Sequence, residues 1–344
     1  MARFQLTPLT RRRLARFRAN RRGFWSLWIF LGLFGLSLFA EFIANDRPLY
    51  IGMEGQAYFP VFQDYTETEL GGDFDTPADY TAPFMADLFA EKGATVIWPL
   101  IPFSWDTVVR DAAPYPAAPS ARNWLGTDND GRDITATLIY GFRISILFGL
   151  ALTVASSVIG VLAGLLQGYL GGLTDLFLQR FIEIWSGMPV LYLLIILSAV
   201  IEPTFIWLLG IMLLFSWMEL VGLVRAEALR ARNFDYVRAA KALGLPSTRI
   251  MLRHVLPNTL VATVTMMPFV MNGSIATLTS LDYLRFGLEQ SAPSLGKLLS
   301  QAKDLAVQAP WIPLSAFFTV AILLSLLVFI GEATRDAFDP RRGP

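Results

Sequence analysis

Between Ile144 and Gly168 the chain runs for 25 residues without a charge. As an α-helix such a run is about 38 Å long, enough to cross the roughly 30 Å hydrocarbon core of a bilayer. Composition extends the same reading to the whole chain. With 54% hydrophobic and 16% charged residues, 344 residues hold more apolar surface than a soluble core can hide. The expected fold class is an all-α polytopic membrane protein.

Hydropathy marks six spans, at residues 24–43, 144–168, 184–201, 203–224, 259–281 and 311–330. The third is expected to kink around Gly187 and Pro189, and a tight outer turn joins it to the fourth. A short interfacial helix, 134–143, is expected before the second span, and Gly171-Gly172 breaks the chain after it. The first run has no small-residue cleavage site at its end, so it reads as a span and not as a removed signal.

Charge segregation orients these spans. Residues 1–23 carry eight arginines and no acid, whereas residues 44–133 carry fifteen acids against five basic residues. The positive-inside rule places the basic tail, the loop 225–258 and the end of the chain, with Arg335, Arg341 and Arg342, in the cytoplasm. Residues 44–133 then form a long periplasmic segment, with turn signals at Gly71-Gly72 and near Pro114. The formal net charge is zero and the basic clusters flank spans, so no nucleic-acid partner is expected.

Several chemistries are excluded. Cysteine is absent and His254 is the only histidine, which leaves no thiolate or H-E-x-x-H metal site. The Gly296-Lys297 pair has Leu298 where a phosphate loop needs Ser or Thr, and Ser291 where it needs the first Gly, so the chain does not hydrolyse ATP by itself. Asp128-Asn129-Asp130-Gly131 lacks the acid at Gly126 and the Glu at Thr137 that an EF-hand requires, and reads as an Asx-type turn. Glu183 and Glu219 are placed near span ends, where a snorkelling or packing role outweighs proton coupling. No Ser-Lys, Asp-Asp or histidine-rich constellation appears in the spans, which sets aside an intramembrane enzyme.

The segment most open to function is the basic loop. Tyr236, Ala240 and Leu243 recur at spacings of four and three, which puts them on one face of a short helix, with Arg238 and Lys241 on the polar side. Gly244 follows as a residue able to take positive φ, and Pro246 prevents continuation. Ser247 starts a second helix, which Pro257 is expected to stop.

Tyr236-Val237-Arg238-Ala239-Ala240-Lys241-Ala242-Leu243-Gly244, followed by Leu256-Pro257, resembles the EAA loop of bacterial ABC importer permeases. Arg238 stands where that family prefers Glu, and His254 where it prefers Ile. Trp124 to Asp133, Ile139 to Ser145, Ala309-Pro310-Trp311 and Arg335 to Arg341 are similar to dipeptide and oligopeptide permeases. The long acidic outer segment and Leu278 to Leu284 with Ser294-Leu295-Gly296 resemble the Yej-type branch, associated with uptake of microcin C and other peptides.

The resemblance implies a type I ABC importer permease fold with six transmembrane helices and a long outer loop after the first. It implies an inner-membrane permease subunit for oligopeptides or microcin C-like conjugates, with dipeptides or nickel and other metal chelates as the alternative. Tyr236, Arg238, Ala239, Ala240, Leu243, Gly244, Leu256 and Pro257 would couple it to an ATPase. No cofactor is expected on this chain, ATP and Mg belonging to that partner. The implied partners are a second, non-identical permease, ATP-binding subunits or one fused ATPase, a periplasmic peptide-binding protein, the peptide and membrane lipid. A scaffold or sensor would instead need no ATPase. The periodicity of nearly all-apolar spans does not say which faces line a pathway.

Overall fold

The computed structural model describes residues 7–198, 200–201 and 204–339. Residues 1–6 of the basic tail, Pro203, Arg341 and Arg342 therefore lie outside the described residues. The chain divides into two compact units, one of residues 1–32, 146–289 and 321–344, the other of residues 33–145 and 290–320.

In chain order the helices are α1 (Pro8–Ala19), α2 (Arg21–Leu38), α3 (Ala40–Ile43), α4 (Pro83–Glu91), α5 (Ile134–Leu170), α6 (Gly172–Ser186), α7 (Val190–Ser198), α8 (Phe205–Ser216) and α9 (Met218–Ala231). They continue as α10 (Asp235–Ala242), α11 (Ser247–Ile250), α12 (Leu256–Tyr283), α13 (Leu295–Leu305) and α14 (Trp311–Phe338). Among the described residues four stretches are long and apolar enough to cross a membrane: Ile134–Leu170, Phe205–Ala231, Ser247–Tyr283 and Trp311–Phe338. The pair Gly172–Ser186 and Val190–Leu197, bent by 61°, meets the same criterion only when its two helices are counted together. The chain is thus a polytopic helical protein.

Several boundaries differ from expectation. No break separates residues 134–143 from the second span, because α5 is a single helix of 37 residues. The helix that leads into the expected third span begins at Gly172, twelve residues before residue 184. Its charges, which shorten the apolar window, are accommodated: Arg180 pairs with Glu183, and Asp175 pairs with Arg225. The first span is split at Phe39 and opens with Arg21 and Arg22, leaving α2 short of the about 20 apolar residues of a full crossing. Gly171 and Gly172, both at positive φ, break the chain after α5 as expected.

Pro257 does not stop a helix. A turn of π-helix, Met251–Val255, lies between α11 and α12, and Ser247–Tyr283 runs continuously through it. A proline ring needs room against the carbonyl four residues earlier, and the wider π turn supplies that room without ending the spiral.

The helices of the first unit meet through small residues. Gly160, Gly164 and Gly168 lie on one face of α5, where a Cβ would come within 2.5–2.8 Å of the backbone carbonyls of Trp217, Val221 and Arg225. Spacing of four residues places the three glycines in line, and the missing side chains let α5 and α9 approach to backbone contact. α9 also packs along α12.

In the second unit residues 44–133 add a three-stranded antiparallel sheet, order β2-β1-β3, to the helical fold, with β1 Tyr50–Met53, β2 Gln56–Tyr58 and β3 Thr95–Ile97. Ile51 and Met53, alternate residues of β1, face Leu70, Met85 and Phe89 in one small core. The Asp128 run forms the expected Asx turn: its Oδ1 accepts from the amides of Asp130 and Arg132, both at 2.9 Å.

Asp133 then caps α5. Its carboxylate accepts from the Ala136 amide and from Asn123 Nδ2, each at 2.8 Å, and both side chains are buried. Burial pushes its carboxyl above the ordinary carboxylate range, which those hydrogen bonds offset in part. Asp133→Ala removes the cap and orphans a buried donor, so about 2–3 kcal/mol of stability should be lost, while Asp133→Asn keeps most of it. Thermal unfolding of the two variants in detergent checks this.

Candidate functional site

The loop between α9 and α12 is built on a hydrophobic platform. Val224, Ala228 and Ala231 of α9, with Val161 and Leu165 of α5, form a buried layer that receives Val237 and Ala240 of α10. Positions 237 and 240 are three apart and share a face, and burying Val237 alone contributes about 1.5–3 kcal/mol. Ile250, Met251 and Val255 close the cluster from the far side of the loop.

α10 ends in a full Schellman motif. The Leu245 amide donates to the Ala240 carbonyl at 3.2 Å and the Gly244 amide to the Lys241 carbonyl at 3.0 Å, with Gly244 at φ +78°. Leu245 packs against the platform, supplying the apolar contact that accompanies this cap.

The expected site residues separate into two sets. Ala240 is buried, whereas Tyr236, Arg238, Ala239, Leu243 and Gly244 are exposed, Leu243 at 80%. Tyr236, Ala240 and Leu243 therefore do not present a common contact surface. Val237, passed over in the sequence reading, shares the inward face with Ala240 and tilts it toward the core, leaving Tyr236 and Leu243 on the flank. Leu256 is half-buried against the platform and Pro257 is exposed.

Local bonds hold the exposed set. Asn258 Nδ2 donates to the Tyr236 hydroxyl, which donates to the His254 carbonyl at 3.4 Å, tying α10 to the start of α12. His254 thus contributes its backbone, and its ring lies beside that of Tyr236. Next to α10 a cleft of about 390 Å³ is lined by Arg232, Arg238 and Lys241, with Asn233 and Ser247. This cleft presents cations with no facing acid among its lining residues.

Three further features escaped the sequence reading. The first is the line of glycines on α5, whose signal is the four-residue spacing Gly160, Gly164, Gly168. The second is a forked ion pair in which Arg225 donates to both oxygens of Asp175, at 2.6 and 2.7 Å, fixing the start of α6 to α9 just ahead of the loop. The third is the position of Glu219. It is the second residue of α9, just past the break at Trp217 that separates α8 from α9 and six residues before Arg225, within the apolar stretch Phe205–Ala231.

Residues 156–344 match the family model described as "Binding-protein-dependent transport system inner membrane component". The chain is 57% identical over 339 residues to the inner membrane ABC transporter permease protein YejE of Escherichia coli (strain K12), covering 98% of this chain and 99% of that protein. It is 55% identical over 361 residues to the peptidoglycan transport system permease protein YejE of Agrobacterium fabrum (strain C58), covering 98% and 94%. Over 221 residues, 63% of this chain and 75% of the relative, it is 34% identical to the oligopeptide transport system permease protein OppC of Lactococcus lactis subsp. lactis. The platform, the glycine-capped loop and the apolar helices on either side of it all fall within or overlap the matched segment, and the chain belongs to this family of binding-protein-dependent transport system inner membrane components, the multi-pass permease subunits of ABC importers.

Proposed function

We propose that this chain is a permease subunit of an ATP-driven importer of peptides, including oligopeptides and peptide conjugates of the microcin C kind. The observation that carries the reading is the end-to-end likeness to YejE permeases, joined to the similarity of the core to an oligopeptide permease. A permease of this family works with an ATPase and a substrate-binding protein, and is not itself an enzyme.

The loop 225–258 is the element assigned to the ATPase. Val237 and Ala240 anchor α10 to helices α5 and α9, while Tyr236, Arg238, Ala239, Leu243 and Gly244 remain outside for a partner groove. Movement of the ATPase would then pass to the membrane helices through a packed layer and not through a slack loop, as a conformational bias requires. ATP and Mg belong to that partner. A second, non-identical permease completes the membrane part, and the acidic outer segment faces the binding protein.

Both termini are assigned to the cytoplasm. The Arg13 guanidinium lies 4.4 Å from the Phe338 ring centre and Arg16 donates to the Asp339 carbonyl, so α1 and the end of α14 share one side. Their cationic character favours the inner face.

Liposomes holding this chain with its ATPase and second permease, supplied with the binding protein, should take up a labelled tripeptide only when ATP is present inside the compartment that faces the ATPase. Uptake of a nickel chelate with no peptide uptake would replace peptide by metal chelate as the substrate. Peptide uptake that continues without ATP would sink the reading.

A further inference from the structure

Glu219 has no place in the machinery described so far. It is exposed, and among the described residues its carboxylate has no hydrogen-bond or ion-pair partner. Toward one end of its helix the next charge is Arg225, about 9 Å further along; toward the other, Phe205 is about 21 Å away with no charge between. Both distances exceed the reach of a glutamate side chain. In an α-helix the Cα–Cβ bond tilts toward the N-terminus, so the carboxylate of Glu219 is directed away from Arg225 and deeper into the span. Snorkelling toward the charged end is therefore closed to it.

An ionised carboxylate at that depth is stable only beside water or a cation. The face it occupies is open. α9 turns Leu220, Val221 and Val224 inward, and Glu219 falls on the side facing α12. There the position of a missing side chain, at Gly273, lies 3.9 Å from Glu219 Oε1. A Cβ at 273 would stand at ordinary van der Waals distance from the carboxylate, so Glu219 lies against α12 at a position with no side chain to cover it.

We infer that Glu219 lines the translocation pathway and receives a cationic group of the passing substrate, the ammonium of a peptide N-terminus or lysine side chain. The class of ligand rests on the peptide reading above; the placement on the pathway rests on geometry alone. Such a group would set a preference among peptides at the membrane step, after the binding protein has made its own selection.

Two experiments on the complete transporter in liposomes separate these claims. The chain contains no cysteine, so Glu219→Cys supplies a single thiol in it. A membrane-impermeant methanethiosulfonate should label that thiol, and a saturating lysine-containing tripeptide should slow the labelling. An unreactive thiol would mean the position faces lipid or a dry interface, and would overturn the placement whatever the substrate. For the ligand, Glu219→Gln should raise KM for a free-amine, lysine-containing tripeptide about tenfold with kcat within twofold, leaving an Nα-acetylated neutral tripeptide unchanged. Equal effects on both peptides, or loss of the assembled complex in gel filtration, would overturn the cation contact, the latter pointing to an ion pair with the second permease. If the unaltered transporter carries neither peptide, the peptide reading and the ammonium contact fall together, while the labelling result still decides the placement.

Discussion

Gly168→Val is expected to abolish coupled transport, cutting ATP-dependent uptake by more than tenfold. A Cβ at this position would lie 2.5 Å from the Arg225 carbonyl oxygen and 2.6 Å from Ala228 Cβ. Neither atom belongs to the end of a flexible side chain, so the helices themselves must part by roughly 1 Å to restore van der Waals contact. The layer that opens is the platform under the loop, since Ala228 belongs to the buried set that receives Val237 and Ala240. Overpacking of a close contact costs about 1–3 kcal/mol, and here the cost falls on the surface through which α10 is held. Gly164→Val should behave alike, with Val221 O and Val224 Cβ both at 2.8 Å. Gly222 on α9 has nothing within 4 Å of its missing Cβ, so Gly222→Ala is the control and should transport normally. Uptake into liposomes and peptide-stimulated ATPase activity, each normalised to assembled complex, measure the effect. Normal rates in Gly168→Val would show that the helix crossing does not support the loop.

Gly244→Val should reduce transport by at least tenfold while leaving membrane insertion unchanged. The reason differs from that at Gly168, because no atom lies within 4 Å of a Cβ built there. The cost is in the backbone. Gly244 sits at φ +78°, a region that a β-branched residue enters at about 1–3 kcal/mol. Relief comes by unwinding the Schellman cap, and that turn fixes where Leu243 and Arg238 point. Asn tolerates positive φ far better, so Gly244→Asn should keep most of the activity. Co-purification of the ATPase with each variant separates detachment from a fault within the membrane. A fully active valine variant would remove the loop from the coupling route.

The contrast between these two glycines bears on what a sequence can disclose. Gly244 was legible because a helix-capping glycine followed by Pro246 has a local cause, readable from neighbours in the chain. Gly168 appeared only as the end of an apolar run, because its role depends on α9, some sixty residues later. The same distinction explains the inward face of α10. Spacing alone ranks Tyr236, Ala240 and Leu243 together, yet the platform selects Val237 and Ala240, since the smaller side chains fit the closed layer and the larger ones stay outside. Pro257 shows the reverse error: the local rule calls for a stop, and a π turn absorbs the ring without ending the helix.

By itself the sequence determined the bilayer as solvent, the run of helical spans and the likeness to a permease family, because these follow from composition, length and local motif. Residues 44–133 carry no periodicity that announces the sheet and α4 folded there around Ile51 and Met85. Only the tertiary structure decided which small residues let helices touch, which side of α10 is held and which is exposed, and that Glu219, in the first turn of α9, lies beside Gly273 of α12. Those outcomes depend on elements far apart in the chain, and in spans that are apolar on every side no periodicity records which face meets a neighbour.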